Sequence, residues 1–181
     1  MVELLRERSF ERKRVILASG KESDFFIDCK QTILTAEGHA LAGQLMFEAL
    51  GRLGDCDAVG GVALGGCPLA SAVSLISYQQ GRNLPALYVR KEQKDHGSAK
   101  LVEGDKALRP GLRVALLEDV ITTGGSSLKA VDSLRAVGAE VIGIVALVDR
   151  LEGGAEAIQA AGLPLVSLAT RHDFMGDDAA K

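Results

Sequence analysis

Residues 114–127 combine the side chains that could hold a sugar phosphate, reading Val-Ala-Leu-Leu-Glu-Asp-Val-Ile-Thr-Thr-Gly-Gly-Ser-Ser. Glu118 and Asp119 follow an apolar run, and carboxylates accept hydrogen bonds from sugar hydroxyls. The small residues from Thr122 to Ser126 offer hydroxyl groups and backbone N–H groups, which can surround an anion where a helix begins. The segment therefore predicts a buried strand that ends in an acidic pair, followed by a phosphate-binding loop.

A simpler interpretation of the same segment is a strand–helix turn whose helix is capped by Ser126 or Ser127. The acidic pair speaks against it, because two adjacent carboxylates at the end of a buried strand are costly without partners. Val120 and Ile121 are expected to anchor the loop in the core. The chain lacks GxxxxGK[ST] and a well-formed GxGxxG, which argues against a P-loop nucleotidase and a dinucleotide-binding oxidoreductase.

A second segment concentrates positive charge, with four potential cations between residues 90 and 96. They are Arg90, Lys91, Lys94 and His96. Such a group could stabilise a highly charged leaving group, and a loop that closes over it could exclude water. Taken alone, the loop favours the alternative of a solvated surface segment, because acidic residues are interleaved with the basic ones.

Phe25 and Phe26 form an aromatic pair in a chain with only five phenylalanines. Adjacent strand residues face opposite sides, so one ring could be core while the other lines a pocket, although both could simply be packing residues. Arg150 could bind a ligand carboxylate through two parallel hydrogen bonds. The alternative for Arg150 is an ion pair with Asp149 or Glu152, which is a common arrangement.

Apolar strand-like runs alternate with helix-like patterns, which predicts an α/β fold with a parallel sheet covered on both faces. Ligands bind beyond the carboxyl ends of the strands in such sheets. We therefore expect four strand ends to converge on one rim, namely Gly65-Gly66, Arg90-Lys91, Glu118-Asp119 and Asp149-Arg150. The expected helices cover residues 1–14, 35–50, 68–81, 128–137 and 152–161, and the expected strands cover residues 15–17, 25–28, 58–64, 85–89, 113–117, 141–148 and 165–168. Residues 91–109 are expected to form an uncovered loop.

Composition narrows the class of protein. A chain of 181 residues suits one α/β domain, and a net charge of −3 argues against a dedicated nucleic-acid binder. No apolar run is long enough to span a bilayer, and the first residues do not resemble a signal peptide. Three scattered cysteines, Cys29, Cys56 and Cys67, favour free thiols in a reducing compartment, so a cytoplasmic location is expected.

The sequence at 118–126, Glu-Asp-Val-Ile-Thr-Thr-Gly-Gly-Ser, resembles the phosphoribosyl-pyrophosphate (PRPP) signature of the type I phosphoribosyltransferases. Within that family the chain is most similar to the orotate phosphoribosyltransferases. Residues 19–28 resemble their N-terminal substrate segment, residues 90–97 their mobile catalytic loop, and residues 147–150 the strand end whose arginine meets orotate. The signature alone specifies the superfamily, whereas the loop and the Phe-Phe pair narrow it to the orotate enzymes.

The resemblance implies a fold, a reaction and an assembly. The fold would be a central, mostly parallel sheet flanked by helices, in one domain over residues 1–181. A small N-terminal hood would come mainly from residues 1–34 and the C-terminal segment. The reaction would be a Mg²⁺-dependent transfer of ribose 5-phosphate from PRPP to N1 of orotate, giving orotidine 5′-monophosphate and pyrophosphate in UMP biosynthesis. The partners implied are these small molecules and a second copy of the chain, with the 90–106 loop shared across a homodimer interface. No nucleic acid and no membrane are expected.

The resemblance also assigns roles to individual residues. Lys94 would be the main catalytic lysine, with Glu118 and Asp119 as catalytic carboxylates. Mg²⁺ would have no direct protein ligand and would be held mainly through PRPP and water. The residues implied to bind PRPP are Arg90, Lys91, Lys94, His96, Glu118, Asp119, Val120, Ile121, Thr122, Thr123, Gly124, Gly125 and Ser126. Those implied to bind orotate are Phe25, Phe26, Thr122 and Arg150.

The chain departs from the family pattern at two positions. The family often has a lysine in the short loop after the second strand of the sheet, where this chain has Gly65, and another just before the Ser-Gly turn, where it has Ala18. Two alternatives stay open on the sequence: a phosphoribosyltransferase for another base, and a PRPP-sensing regulator. Lys94, His96 and the net negative charge argue against the regulator.

Overall fold

A computed structural model describes residues 1–16, 22–91 and 101–175 of the chain. The helices are α1 (Val2–Arg8), α2 (Lys30–Ile33), α3 (Ala36–Leu50), α4 (Gly66–Gln79), α5 (Gly125–Ala136), α6 (Gly154–Ala160) and α7 (His172–Met175). The strands are β1 (Phe10–Ile16), β2 (Glu22–Ile27), β3 (Ala58–Val62), β4 (Ala86–Val89), β5 (Val102–Glu103), β6 (Arg113–Ile121), β7 (Glu140–Asp149) and β8 (Leu165–Thr170). A single turn of 3-10 helix covers Asp105–Ala107.

Six strands form the central sheet in the order β5-β4-β3-β6-β7-β8. All neighbours are parallel except β4 and β5, which are antiparallel. The prediction of a mostly parallel sheet flanked by helices is confirmed. The inner strand β7 is buried from Val141 onward apart from half-buried Ile142, as expected of a strand with helices on both faces.

Helices cover the two faces of the sheet and create two hydrophobic cores. On one face α3 and α4 pack against β3, β6 and β7 through residues such as Met46, Leu69 and Val73. On the other face α5 and α6 contribute Leu134 and Ile158. Because both faces are covered, a polar ligand has access to the sheet mainly at its edges and strand ends.

The N-terminal segment corrects one prediction. The helix expected through Arg14 ends at Arg8, and β1 follows as an antiparallel partner of β2. The reason is tertiary pairing: the Phe10 ring lies 5.2 Å from that of Phe25 and 5.6 Å from that of Phe174. Packing of these rings stabilises the extended conformation of β1, although the spacing of the charged residues in this stretch also suits a helix. Leu17 and the turn at residues 19–21 lie outside the described residues.

Two further boundaries differ from the sequence analysis. β6 continues to Ile121, four residues beyond the expected end, because Val120 and Ile121 pair with Val148 and Asp149 of β7. The expected loop at 91–109 contains, in its described part, β5 and the 3-10 turn. The acidic pair therefore lies inside a strand, where its position is fixed by the sheet.

The chain changes direction between β3 and β6. It leaves β3 toward β4 on one side, and later returns to add β6 on the other side of β3. The carboxyl ends on either side of such a point diverge and leave a crevice, which is the usual ligand site in open α/β sheets. Within the part of the chain that the structure describes, no helix has the length and apolar character needed to cross a bilayer.

Candidate functional site

A pocket of about 200 Å³ lies at the carboxyl end of β6. Its walls come from one continuous stretch and one residue that follows β4, namely Glu118, Asp119, Val120, Ile121, Thr122, Thr123, Gly124, Gly125, Ser126, Ser127 and Lys91. The structure thus brings the predicted signature and one predicted loop cation to the same place. Of the other loop residues, Lys94 and His96 lie outside the described residues.

The phosphate-binding loop is shorter than the sequence suggested. Only Thr122, Thr123 and Gly124 lie between β6 and α5. Gly124 is the residue at the N-cap position, with φ of +78°, so the alternative interpretation with a cap at Ser126 or Ser127 is wrong. Glycine adopts this left-handed conformation without the steric cost of a side chain, which lets the chain turn tightly into α5. The N–H groups of the first turn then face the pocket that the loop lines.

Glu118 is buried, and the sheet places it directly beside the pocket. Its Oε2 accepts a 3.0 Å hydrogen bond from the hydroxyl of Ser127. Burial, reinforced by the charge of Asp119, raises the pKa of Glu118 to about 8. At neutral pH this carboxyl is therefore mostly protonated in the absence of ligand.

Asp119 is half-buried and lies against the loop after β3. Its Oδ1 accepts a 3.0 Å hydrogen bond from the N–H of Val120. A Cβ atom added to Gly65 would be 2.1 Å from Oδ2 of Asp119. The carboxylate thus occupies the space that a side chain at position 65 would need, which gives a physical reason for glycine where the family often has lysine.

A lysine that the sequence analysis missed lies near this carboxylate. Lys30 begins α2, and its Nζ is 2.5 Å from Oδ1 of Asp28. The hydrogen bond with Asp28 raises the pKa of Lys30, and the charge of Asp119 adds to the effect. No sequence signal pointed to this lysine, because α2 is one turn long and far from β6 along the chain.

Arg150 connects the end of β7 to the hairpin of β1 and β2. Its backbone N–H donates to the carbonyl of Ile121 at 3.0 Å, next to Thr122. Its Nη2 donates to the Phe25 carbonyl at 3.0 Å and to Ser23 Oγ at 3.4 Å. The guanidinium is buried, with the residue only 8% exposed. The structure therefore brings Phe25, Thr122 and Arg150 together, and Ser23 is a partner that the sequence did not suggest.

The two phenylalanines face opposite sides of β2, as expected from strand geometry. The Phe25 ring is completely buried, and the guanidinium carbon atoms of Arg150 and Arg171 lie 5.4 and 5.6 Å from its centre. Phe26 is half-buried, and Nζ of Lys13 is 4.0 Å from its ring centre. Any contact of Phe25 with a ligand would therefore come from its backbone, whereas Phe26 exposes part of its ring.

The ion-pair alternative for Arg150 is also present, since its Nη2 is 2.8 Å from Oε1 of Glu152. Arg90 is paired as well: its Nε and Nη2 lie 2.9 and 2.8 Å from Oε1 of Glu103. Lys91 lines the pocket, while Arg90 does not. Arg90 and Arg150 thus each have an acidic partner. An anionic ligand would either displace this partner or bind next to it.

Comparisons with known proteins all point to the same family. Residues 32–160 match the phosphoribosyl transferase domain family. An orotate phosphoribosyltransferase of Sorangium cellulosum is 74% identical over 178 residues, which cover 98% of this chain and 93% of that protein. More than half of the chain lies in the family match, and the relative is aligned over almost its whole length.

Solved structures agree with this result. The orotate phosphoribosyltransferase of Mycobacterium tuberculosis in complex with Fe(III) dicitrate superposes with a TM-score of 0.81 at 40% identity, covering 96% of this chain and 95% of that one. The same enzyme in complex with PRPP gives a TM-score of 0.77 at 39% identity, with the same coverage. The sheet, the hairpin and the acidic strand end thus belong to a fold seen in these enzymes.

Proposed function

The chain belongs to the orotate phosphoribosyltransferases of the phosphoribosyl transferase family, and from this premise we propose which of its residues bind each part of the substrates. These enzymes transfer ribose 5-phosphate from PRPP to orotate in pyrimidine biosynthesis. The two alternatives, another base and a regulator without activity, are set aside by this membership. The main observation in support of this proposal is that the acidic pair of β6 lies beside the short loop that leads into α5.

In the proposal, Glu118 and Asp119 hold the ribose of PRPP. Carboxyl oxygens of the pair accept hydrogen bonds from the 2- and 3-hydroxyls, and the backbone N–H groups from Thr122 to Ser126 bind the 5′-phosphate. Both groups are fixed by the sheet and by the first turn of α5, so their relative positions are set before a ligand binds. The pocket of about 200 Å³ holds the phosphate end, with the rest of PRPP extending over the rim.

Transfer at the ribose carbon passes through a transition state that resembles an oxocarbenium ion, as in other glycosyl transfers. Asp119 supplies negative charge next to the ribose, while the pKa of Glu118, raised to about 8, keeps that carboxyl mostly protonated in the empty site. Arg90, Lys91, Lys94 and His96 stabilise the departing pyrophosphate. Of these, Lys91 lines the pocket.

Orotate is proposed to bind through its carboxylate to Arg150, with Thr122 as a hydrogen-bond partner of the ring. The hydrogen bond from the N–H of Arg150 to the Ile121 carbonyl fixes the end of β7 beside Thr122, which supports a single site for base and ribose. Phe26 would pack on the ring of the base, and Phe25 would contribute its backbone. Recognition of a carboxylate explains how the enzyme would distinguish orotate from uracil.

The residues present fit a Mg²⁺ ion held mainly by substrate and water. Among the described residues there is no group of three or more His, Cys, Asp or Glu side chains that could form a protein cage for a metal ion. The carboxyl groups of Glu118 and Asp119 line the pocket, where they are proposed to bind the ribose, and the ion would take its oxygen ligands mainly from PRPP and water. When bound, the ion would neutralise charge that develops on pyrophosphate.

A homodimer is proposed to share the 90–106 loop between subunits, as the family resemblance implies. We also place the enzyme in the cytoplasm, because its three cysteines are free thiols and pyrimidine synthesis requires phosphorylated intermediates. Sedimentation analysis of the purified protein tests the dimer. A monomer at the concentration used for assays would contradict it.

The reaction is tested by mixing the protein, PRPP and Mg²⁺ separately with orotate, uracil, adenine, hypoxanthine and xanthine. We expect loss of the ultraviolet band of orotate and no conversion of the other bases. Lys94→Ala should lower turnover far more than it weakens orotate binding, because its proposed role is stabilisation of the leaving group. Lys129→Ala on α5, a lysine that does not line the pocket, is the control. Equal turnover in the two variants would contradict the role of Lys94.

A further inference from the structure

Arg150 and Glu152 form an ion pair that is poor in hydrogen bonds. Nη2 of Arg150 is 2.8 Å from Oε1 of Glu152, and the two side chains are only 9% and 16% exposed. The hydrogen atoms of Nη2 are directed to the Phe25 carbonyl and to Ser23 Oγ instead. In the described part of the chain, neither Nε of Arg150 nor Oε1 of Glu152 has a hydrogen-bond partner, although both atoms are buried.

The turn that brings the two side chains together is strained. Leu151, which lies between them, has a φ of +57°, the only positive φ of a non-glycine residue among those described. Its side chain is 44% exposed, so burial of an apolar group does not account for this conformation. The turn is held by a 2.9 Å hydrogen bond from the N–H of Leu151 to Oδ1 of Asp149. Strain that persists in this way is common at functional sites, where the surroundings fix a particular side-chain arrangement.

We propose that Glu152 is an exchangeable partner of Arg150, whose place is taken by the carboxylate of the substrate. This inference rests on the proposed role of Arg150 in binding orotate. In the empty site Glu152 neutralises a guanidinium that would otherwise be buried without a counter-charge. When orotate enters, its carboxylate replaces Glu152 and gains the unused N–H of Nε. Glu152, which is close to the surface, moves into solvent.

The exchange works in both directions. The product, orotidine 5′-monophosphate, keeps the carboxylate of orotate, so Glu152 competes with substrate and product alike. Its return to Arg150 assists the departure of the product. A pyrimidine without a carboxylate cannot replace Glu152, because displacing it would leave a buried guanidinium unpaired. Glu152 therefore lowers the affinity for orotate while it keeps the site closed to neutral bases.

The test is Glu152→Gln, which keeps the shape of the side chain and removes its charge. We expect the KM for orotate and the inhibition constant of orotidine 5′-monophosphate to fall together, each by at least about fivefold, the upper value for an exposed ion pair, because this pair is mostly buried. The KM for PRPP should not change. Glu156→Gln removes the same charge from an exposed position of α6 and is the matched control, with no expected effect on either constant.

A purely structural role of Glu152 predicts the opposite direction. Losing a structural ion pair would disorder Arg150 and raise the KM for orotate. Glu152→Asp is the second variant, because the shorter side chain keeps the charge and the fold but holds the carboxylate away from Nη2. It should lower the orotate KM by a smaller factor. A rise or no change in the orotate KM of both variants would overturn the exchange.

Arg150→Ala separates this inference from the proposed function. If that variant leaves the orotate KM unchanged, the proposed carboxylate site itself is wrong. If it raises the orotate KM while Glu152→Gln does not lower it, the site stands and only the exchange with Glu152 fails.

Discussion

Ser127 and Glu118 form a buried pair beside the loop of residues 122–124, in which the hydroxyl of Ser127 donates a 3.0 Å hydrogen bond to Oε2 of Glu118. Ser127 belongs to the first turn of α5 and Glu118 to β6, so the bond ties the helix to the strand. It also fixes which oxygen of the carboxyl group remains for a ligand. The geometry of the proposed ribose contact of Glu118 would thus depend on the side chain of Ser127.

Ser127→Ala should raise the PRPP KM and reduce the free energy of unfolding by about 1 kcal/mol, the usual net value of one hydrogen bond. Because the hydroxyl lowers the pKa of Glu118, its loss should raise that pKa further. Steady-state kinetics and urea denaturation measure the two effects. Ser133→Ala, at a half-buried position of the same helix that does not line the pocket, is the control. If both variants have the same PRPP KM, the hydrogen bond does not orient Glu118.

Glu118→Gln should change how stability depends on pH. In the folded state the pKa of Glu118 is raised from 4.5 to about 8, so the folded protein holds a proton that the unfolded chain releases. This contribution to stability is complete below the unfolded pKa and is lost as pH rises toward the folded one. The variant has no ionisable group at position 118. Its melting temperature relative to that of the native protein should therefore rise as the pH is increased from about 5 to about 9. A constant difference across that range would contradict the assignment.

Gly65→Ala should weaken PRPP binding with little loss of stability. The added Cβ would be 2.1 Å from Oδ2 of Asp119, but this atom is the end of a side chain and can rotate away. Asp119 would then lose its hydrogen bond with the N–H of Val120 and its position in the site. We expect a PRPP KM increased about tenfold, equivalent to about 1.4 kcal/mol. Gly51→Ala, where the nearest atom is 3.4 Å away, is the control. Unchanged PRPP binding would show that Asp119 does not need this position.

Gly154→Ala should damage stability and both substrate sites. A Cβ there would be 2.3 Å from Cγ2 of Ile121 and 2.5 Å from the carbonyl oxygen of Thr122, so the loop itself has to shift. Overpacking of this kind costs about 1–3 kcal/mol. Gly153→Ala is the matched control: it meets no atom within 4 Å but carries the strain of a φ of +89°. The control should lose stability and keep both KM values. Equal KM values in the two variants would exclude a role for close packing on Thr122.

Regular parts of the fold could be predicted from the sequence because their signals are local. The long apolar run that became β7 and the amphipathic stretch that became α3 were recognised within a residue or two. The helix expected through Arg14 was wrong, since charge spacing in that stretch suits a helix while the pairing with β2 that decides the matter lies far along the chain. Likewise, the extension of β6 to Ile121 depends on a partner strand that no local pattern reveals.

The lining of the pocket at the end of β6 was predictable because it is nearly continuous in sequence. The signature and Lys91 do line one pocket, as expected. The supporting contacts were not predictable: Asp119 against Gly65, and Arg150 against Ser23, join residues 54 and 127 positions apart. Sequence patterns show which side chains are suited to a ligand, whereas the partners that orient them follow from the path of the chain.

Arg150 takes its backbone partner from β6 and its side-chain acceptors from the N-terminal hairpin. In the proposed site, two separate segments of the chain would contact the base, while one segment would contact the phosphate. Because these segments are separate, the sequence that contacts the base can change in evolution at a different rate from the sequence that contacts the phosphate. A change in the sequence of the hairpin would move the guanidinium of Arg150 and so change which base the site accepts. The proposed sugar-phosphate site at the end of β6 would stay the same.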